Sequence, residues 1–178
     1  MKILVLAGSN RKAGSSQLLA KAIAGRIREK GHEVSLFDLH AKPLPMFDPD
    51  EDYSGHPAVE ELVDSVYVAH GIVLVSPEYH GTISGALKNA LDHLIYEHVD
   101  GKPVLSAACS GGVAAFGALN QLQAIVRNLH GINSPEWISI GSSERETDPA
   151  GDFTEPRVRA RISQATEHLL RLAEQLRK

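Results

Sequence analysis

The chain has 178 residues, of which 43% are hydrophobic and 22% charged, and its formal net charge is −4. This length suits one domain with a sizeable core, and the mild negative charge argues against nucleic acid or an anionic membrane as a partner. The single cysteine excludes an intramolecular disulfide framework. No apolar run has the length of a signal peptide or a membrane span, so we expect a cytoplasmic protein.

Apolar, β-branched runs alternate with helical patterns along the chain. The predicted strands are Lys2–Ala7, Glu33–Phe37, Ile72–Ser76, Pro103–Ala108 and Glu136–Ile140. Several of these runs are apolar at nearly every position, which is typical of strands buried on both faces of a parallel sheet. Apolar residues recur at helical spacing after each strand, in stripes that begin at Leu18, Val59, Leu87, Leu119 and Val158.

This alternation predicts an α/β fold, a flavodoxin-like three-layer sandwich that occupies residues 1–178 as a single domain. We expect a five-stranded parallel sheet in the order 2-1-3-4-5, with helices on both faces. Two irregular stretches, Ala41–Gly55 and Gly141–Phe153, are predicted as surface loops. In this fold, ligands bind outside the carboxyl ends of the strands, so loops there can wall a site.

The first strand leads into Gly8–Gln17, here called the first loop, which is rich in small and hydroxyl-bearing residues. A helix N-terminus offers unpaired N–H groups and a positive dipole end, and an arginine fork suits phosphate oxygens. The loop matches neither the P-loop nor the G-x-G-x-x-G pattern, so we expect one phosphate monoester. The alternative is a plain turn whose serines only cap the helix. The predicted phosphate ligands are Ser9, Arg11, Ser15, Ser16 and Gln17.

Two further loops leave predicted strands at the same edge of the sheet. The PEY loop (77–82) follows the third strand and can hold a flat heterocycle with its backbone, before Thr82 or Ser84 caps a helix. The SGG loop (110–112) follows the fourth strand and offers N–H groups that can stabilise negative charge on a bound ring. The candidate residues are Pro77, Glu78, Tyr79, His80, Gly81, Thr82, Ser110, Gly111 and Gly112.

Three motifs resemble the NAD(P)H-dependent FMN reductase family, a flavodoxin-like family with azo-, quinone- and chromate-reducing members. They are G-S-x-R with a serine cluster (8–17), P-E-Y-x-x-T followed by L-K-N-A-x-D (77–92), and S-G-G (110–112). The resemblance implies that the first loop holds the FMN phosphate, the PEY loop lines the isoalloxazine ring, and the SGG loop lies near its pyrimidine edge. It also implies NADPH or NADH as cosubstrate, a small-molecule electron acceptor, and a homodimer or dimer of dimers in which the helix Ser84–Leu94 contributes to the interface.

The sequence departs from the family's pattern at several positions, and the resemblance leaves alternative functions open. His80 and Gln17 stand where asparagine is frequent, and residues 83–85 replace a proline-containing stretch; these differences bear mainly on the electron acceptor. The flavin carries the redox chemistry, so no side chain is needed as a catalytic base, although His80 could donate a proton. Cys109 is predicted to be a buried small residue, and no metal site is expected. The alternative functions are an electron carrier and a non-catalytic FMN-binding module.

Overall fold

In the computed structural model, which describes residues 1–177, the strands form one parallel sheet. Its strands are β1 (Lys2–Ala7), β2 (Glu33–Asp38), β3 (Gly71–Pro77), β4 (Pro103–Cys109), β5 (Ile132–Asn133) and β6 (Ile138–Ile140). The order is β2-β1-β3-β4-β5, and β6 also pairs with β4. The predicted order 2-1-3-4-5 is therefore confirmed. The carboxyl ends of β1, β3, β4 and β6 lie side by side at one edge.

The fifth position of the sheet differs from the prediction. It is shared by two short strands, because β5 pairs with the start of β4 at Pro103 and Val104, whereas β6 pairs with its end at Ala107–Cys109. Pro135 lies between the two strands and has no N–H to donate to the ladder, which explains the interruption. The predicted strand Glu136–Ile140 is thus shortened to Ile138–Ile140.

Helices cover both faces of the sheet, as predicted. They are α1 (Ser15–Glu29), α2 (Pro57–Tyr67), α3 (Gly85–Asp92), α4 (Tyr96–Val99), α5 (Phe116–Asn128) and α6 (Pro156–Leu176). Alternate residues of β1 separate into two cores: Ile3 and Val5 pack with α1 and α6, whereas Leu4 and Leu6 pack with α2, α3 and α5. This burial on both faces is why β1 is apolar at nearly every position. The short helix α4 was not predicted.

Candidate functional site

Residues from four loops line one cavity of about 240 Å³ at the carboxyl edge of the sheet. Eight of its lining residues were predicted from the sequence: Ser9, Arg11, Ser15, Ser16, Pro77, Glu78, Tyr79 and Gly111. Three more residues line it: Gly14, Cys109 and Arg145. The remaining predicted residues lie outside the lining: Gln17, His80, Gly81, Thr82, Ser110 and Gly112. The parallel topology therefore brings the three predicted loops to one place.

The first loop presents hydrogen-bond donors to this cavity. Buried Ser9 accepts a hydrogen bond from the Arg11 amide on its Oγ at 3.1 Å, which curls the loop, and the Arg11 side chain is exposed. Gly14 is the N-cap of α1, so the amides of Ser15 and Ser16 open the helix, where backbone N–H groups have no intrahelical acceptor. Hydroxyls, free amides and a guanidinium form a donor set that suits a phosphate.

Gln17 was predicted as a phosphate ligand, but it lies outside the cavity lining. Its amide oxygen accepts from the Gly14 amide at 3.3 Å, and its amide nitrogen donates to Asp38 Oδ1 at 3.1 Å. Both ends of the buried side chain are therefore engaged within the protein, and Gln17 joins the start of α1 to the end of β2. It supports the first loop from behind the cavity.

The PEY loop ends in a two-residue hairpin turn. Tyr79 and Thr82 exchange backbone hydrogen bonds, each at 3.0 Å, and His80 and Gly81 at the tip have φ of 52° and 75°. Positive φ at both central positions defines a type I′ turn, which favours Asn, Asp or Gly and also tolerates His. The Glu78 amide is also occupied, since it donates to the Cys109 carbonyl at 2.7 Å. The backbone amides of Glu78, Tyr79 and Thr82 are thus not available to a ligand.

Glu78 connects the PEY loop to α5. Its Oε2 accepts a hydrogen bond from the Ala118 amide at 2.9 Å, in the first turn of that helix. A carboxylate there satisfies a free helix N–H and complements the positive end of the helix dipole. The carboxylate therefore ties this wall of the cavity to α5.

Glu78→Ala is expected to lower the free energy of unfolding by about 1–2 kcal/mol, because the Ala118 amide loses its charged acceptor. Glu78→Gln keeps an acceptor oxygen and is the matched control. Urea unfolding followed by circular dichroism measures both variants. Equal midpoints for the two variants would show that the hydrogen bond contributes nothing to stability.

Ser84 joins the first loop to α3. Of the two residues predicted as N-cap, Thr82 and Ser84, it is Ser84 that caps α3: its Oγ accepts a hydrogen bond from the Leu87 amide at 3.0 Å, and its hydroxyl donates to the Gly8 carbonyl. Its own amide donates to Ser76 Oγ at 3.0 Å. This buried set of bonds fixes the start of the first loop against the end of β3.

The SGG loop differs in detail from the prediction that two glycine amides face a bound ring. The Gly112 amide donates to Ser110 Oγ at 2.9 Å, and the Ser110 amide donates to the Ile140 carbonyl at 2.9 Å. Gly112 is therefore turned inward to Ser110, and Gly111 is the glycine of this loop that lines the cavity.

Arg145 lines the cavity although it lies far from the three motifs in the sequence. It follows β6 in the stretch Gly141–Phe153, and its guanidinium donates to the Ser110 carbonyl. Its Nε is buried and has no hydrogen-bond partner among the described residues. The available sequence signal was only general, namely that this predicted loop leaves the sheet at the ligand-binding edge.

Cys109 lines the cavity and is 4% exposed. Burial raises the pKa of its thiol from 9.0 to about 12, although the nearby Arg145 cation acts in the opposite direction. The prediction of a buried, unreactive cysteine agrees with this environment.

We expect Cys109 to react with Ellman's reagent at pH 8 more than about tenfold more slowly in the folded protein than in guanidinium. Burial raises the thiol pKa to about 12, which lowers the thiolate fraction, and it also slows access of the reagent. A stopped-flow absorbance trace gives both rates. Comparable rates would contradict the buried, protonated assignment.

Within residues 1–177, no group of three or more His, Cys, Asp or Glu side chains is arranged to hold a metal ion. In the same part of the chain, no helix combines the length and apolarity needed to cross a membrane.

Comparison with known proteins shows to which family the chain belongs. Residues 1–145 match the family described as "NADPH-dependent FMN reductase". The chain is 36% identical to an FMN-dependent NADPH-azoreductase of Staphylococcus haemolyticus, over 81% of this chain and 79% of the relative. It is 34% identical to an NADPH azoreductase of Bacillus sp., over 88% and 85% of the two chains.

Among solved structures, a flavoenzyme NAD(P)H:(acceptor) oxidoreductase from Paracoccus denitrificans has the same fold. The TM-score is 0.82 at 21% identity, covering 98% of this chain and 97% of the other. The family match includes the first loop, the PEY and SGG loops, Cys109 and Arg145, which together contribute every residue lining the cavity. The chain belongs to the NADPH-dependent FMN reductase family.

Proposed function

We propose that this protein is an FMN-containing oxidoreductase that transfers electrons from NADPH or NADH to a small-molecule acceptor. The observation that carries the proposal is the cavity itself, whose donors are those expected for FMN. One side of the cavity offers hydroxyls, free helix amides and an arginine, which suit a phosphate monoester. The other side offers Tyr79, Pro77 and the backbone of Gly111, which suit a flat ring.

Different lining residues bind different parts of the cofactor. In this proposal, Arg11, Ser15 and Ser16 hold the phosphate, and Ser9 keeps the first loop in its curled shape. Pro77 and Tyr79 line the ring from the PEY loop, together with Glu78. When bound, FMN supplies the chemistry by accepting a hydride from the nicotinamide and passing the electrons to the acceptor. The protein binds and orients the reactants so that the reacting atoms approach to about 3–3.5 Å.

The proposed reaction needs no side chain as a general base. His80 lies at the exposed tip of the PEY turn and outside the cavity lining, so we assign it no proton transfer. One exposed face of the bound ring serves both the cosubstrate and the acceptor, which must therefore bind in turn. We expect ping-pong kinetics for this reason.

The acceptor belongs to the classes that the family reduces, namely free FMN, quinones, azo compounds and metal oxyanions. Azo compounds are the first to test, because the two relatives described above are named azoreductases.

We further propose one FMN-binding domain that acts in the cytoplasm as a homodimer or a dimer of dimers, with α3 as an interface element. On α3, Lys88 and Asp92 form an exposed ion pair at 2.6 Å.

The test is an absorbance spectrum of the purified protein with FMN, followed by anaerobic addition of NADPH and, separately, NADH. Flavin absorbance that bleaches and returns when an azo dye or a quinone is added supports the proposal. The relative bleaching rates give the preferred cosubstrate. A yellow protein that neither cosubstrate bleaches would be an electron carrier or a binding module, and a protein that takes up no FMN would refute the assignment of the cavity.

A further inference from the structure

We infer that Arg145 is a ligand of the flavin ring, and that its positive charge stabilises the negative charge that the ring gains on reduction. The inference rests on the proposed function, because it takes FMN as the occupant of the cavity. It assigns to Arg145 a role separate from that of Arg11, the other arginine in the lining.

The two arginines enter the cavity from different strands. Arg11 follows β1, whereas Arg145 follows β6, and the order across the sheet is β1, β3, β4, β6. Strands lie about 4.8 Å apart, so three steps separate the two strand ends by roughly 14 Å. Arg11 belongs to the first loop, with its phosphate donors. Arg145 bonds the carbonyl of Ser110 and therefore lies at the SGG loop, the side assigned to the ring.

The charge of Arg145 is not neutralised within the described protein. Among residues 1–177, its guanidinium forms no ion pair with a carboxylate. The neighbouring Glu144 is engaged elsewhere, by Arg161 at 3.1 Å and by the Gly141 amide at 3.0 Å. Glu78, the carboxylate in the lining, accepts from Ala118. The Arg145 Nε is buried without a hydrogen-bond partner. An arginine placed in this way favours a ligand that carries negative charge.

The backbone around Arg145 is held firmly. Glu144 pairs with Arg161 of α6. Burial raises the pKa of the Glu144 carboxyl, but the hydrogen bond from the Gly141 amide and the charge and hydrogen bond of Arg161 lower it by more, so the pKa lies below its usual value. Gly141 packs so closely that an added Cβ would lie 2.1 Å from the Val113 carbonyl oxygen. A charge fixed before reduction needs no reorganisation when negative charge develops on the ring.

The test compares Arg145→Gln, Arg145→Lys and Arg11→Gln with the wild type in three measurements on the FMN-bound protein. These are the two-electron reduction potential of the flavin, the Kd of sulfite, which adds to the ring and leaves negative charge on it, and the preference for FMN over riboflavin. We expect Arg145→Gln to weaken binding of reduced relative to oxidised flavin about tenfold, which lowers the two-electron potential by about 30 mV. The sulfite Kd should rise by a similar factor.

The remaining comparisons distinguish an arginine that contacts the ring from one that contacts the phosphate. Arg145→Gln should leave the preference for FMN over riboflavin unchanged, since riboflavin lacks only the phosphate. Arg11→Gln should show the reverse pattern, with the preference reduced and the potential unchanged. Arg145→Lys keeps the charge and should hold the sulfite Kd within threefold of the wild type.

Three outcomes would count against the inference. An unchanged potential and sulfite Kd in Arg145→Gln would show that its charge does not act on the ring. Loss of the preference for FMN over riboflavin in that variant would make Arg145 a phosphate ligand. If Arg145→Gln holds too little flavin to titrate, the sulfite Kd of Arg145→Lys decides, and a rise above threefold counts against the inference. A wild-type protein that binds no FMN refutes the proposed function instead.

Discussion

Gly117→Ala is expected to lower the free energy of unfolding by about 1–3 kcal/mol, the range found for overpacked sites, and to weaken FMN binding. Gly117 lies in the first turn of α5, where a Cβ would stand 2.1 Å from the carbonyl oxygen of Gly81. Backbone cannot rotate away as a flexible side chain can, so α5 and the turn of the PEY loop must move apart. That movement would also disturb the hydrogen bond between Glu78 and Ala118.

Gly25→Ala is the matched control for this substitution. Gly25 lies inside α1, and nothing lies within 4 Å of the position of its Cβ. Alanine is the better helix former by about 0.8–1.0 kcal/mol, so this variant should be more stable than the wild type. Thermal unfolding and FMN titration of both variants make the comparison. If Gly117→Ala is as stable as Gly25→Ala, the close approach of α5 to the PEY loop is not present in solution.

Arg11→Ala is expected to weaken FMN binding by about 1.5–3 kcal/mol, the contribution of a hydrogen bond to a charged group. That change corresponds to a roughly 10- to 150-fold rise in Kd. Arg11 is exposed, and its guanidinium forms no ion pair within residues 1–177, so its removal should leave the fold intact. Fluorescence quenching of FMN measures the Kd directly.

Riboflavin and Lys12→Ala provide the controls for this prediction. Riboflavin has no phosphate, so its affinity should be the same in the wild type and in Arg11→Ala. Lys12 is a neighbouring exposed cation that is not part of the cavity lining, and its removal should change the FMN Kd much less. Equal losses for the two variants would point to general electrostatic attraction instead of a specific phosphate contact.

Three loops meet in the cavity because of the sheet topology, and this made the site predictable. Parallel strands direct all their carboxyl ends to one edge, so residues that follow β1, β3 and β4 come together although they are far apart in sequence. Arg11, Tyr79 and Gly111 were placed in the cavity by this reasoning, and the structure places them there.

The sequence by itself determined the alternation of strands and helices, the sheet order and the edge at which the cavity lies. The alternation depends on periodicity, which is a property of neighbouring residues, and the sheet order and the edge then follow from the connection rules of parallel α/β folds. Only the tertiary structure decided which groups actually face the cavity. Gln17 is held by Asp38, the Gly112 amide by Ser110, and Arg145 reaches the cavity by bonding Ser110. Such choices depend on hydrogen-bond partners that folding brings together from distant parts of the chain, and no local pattern encodes them.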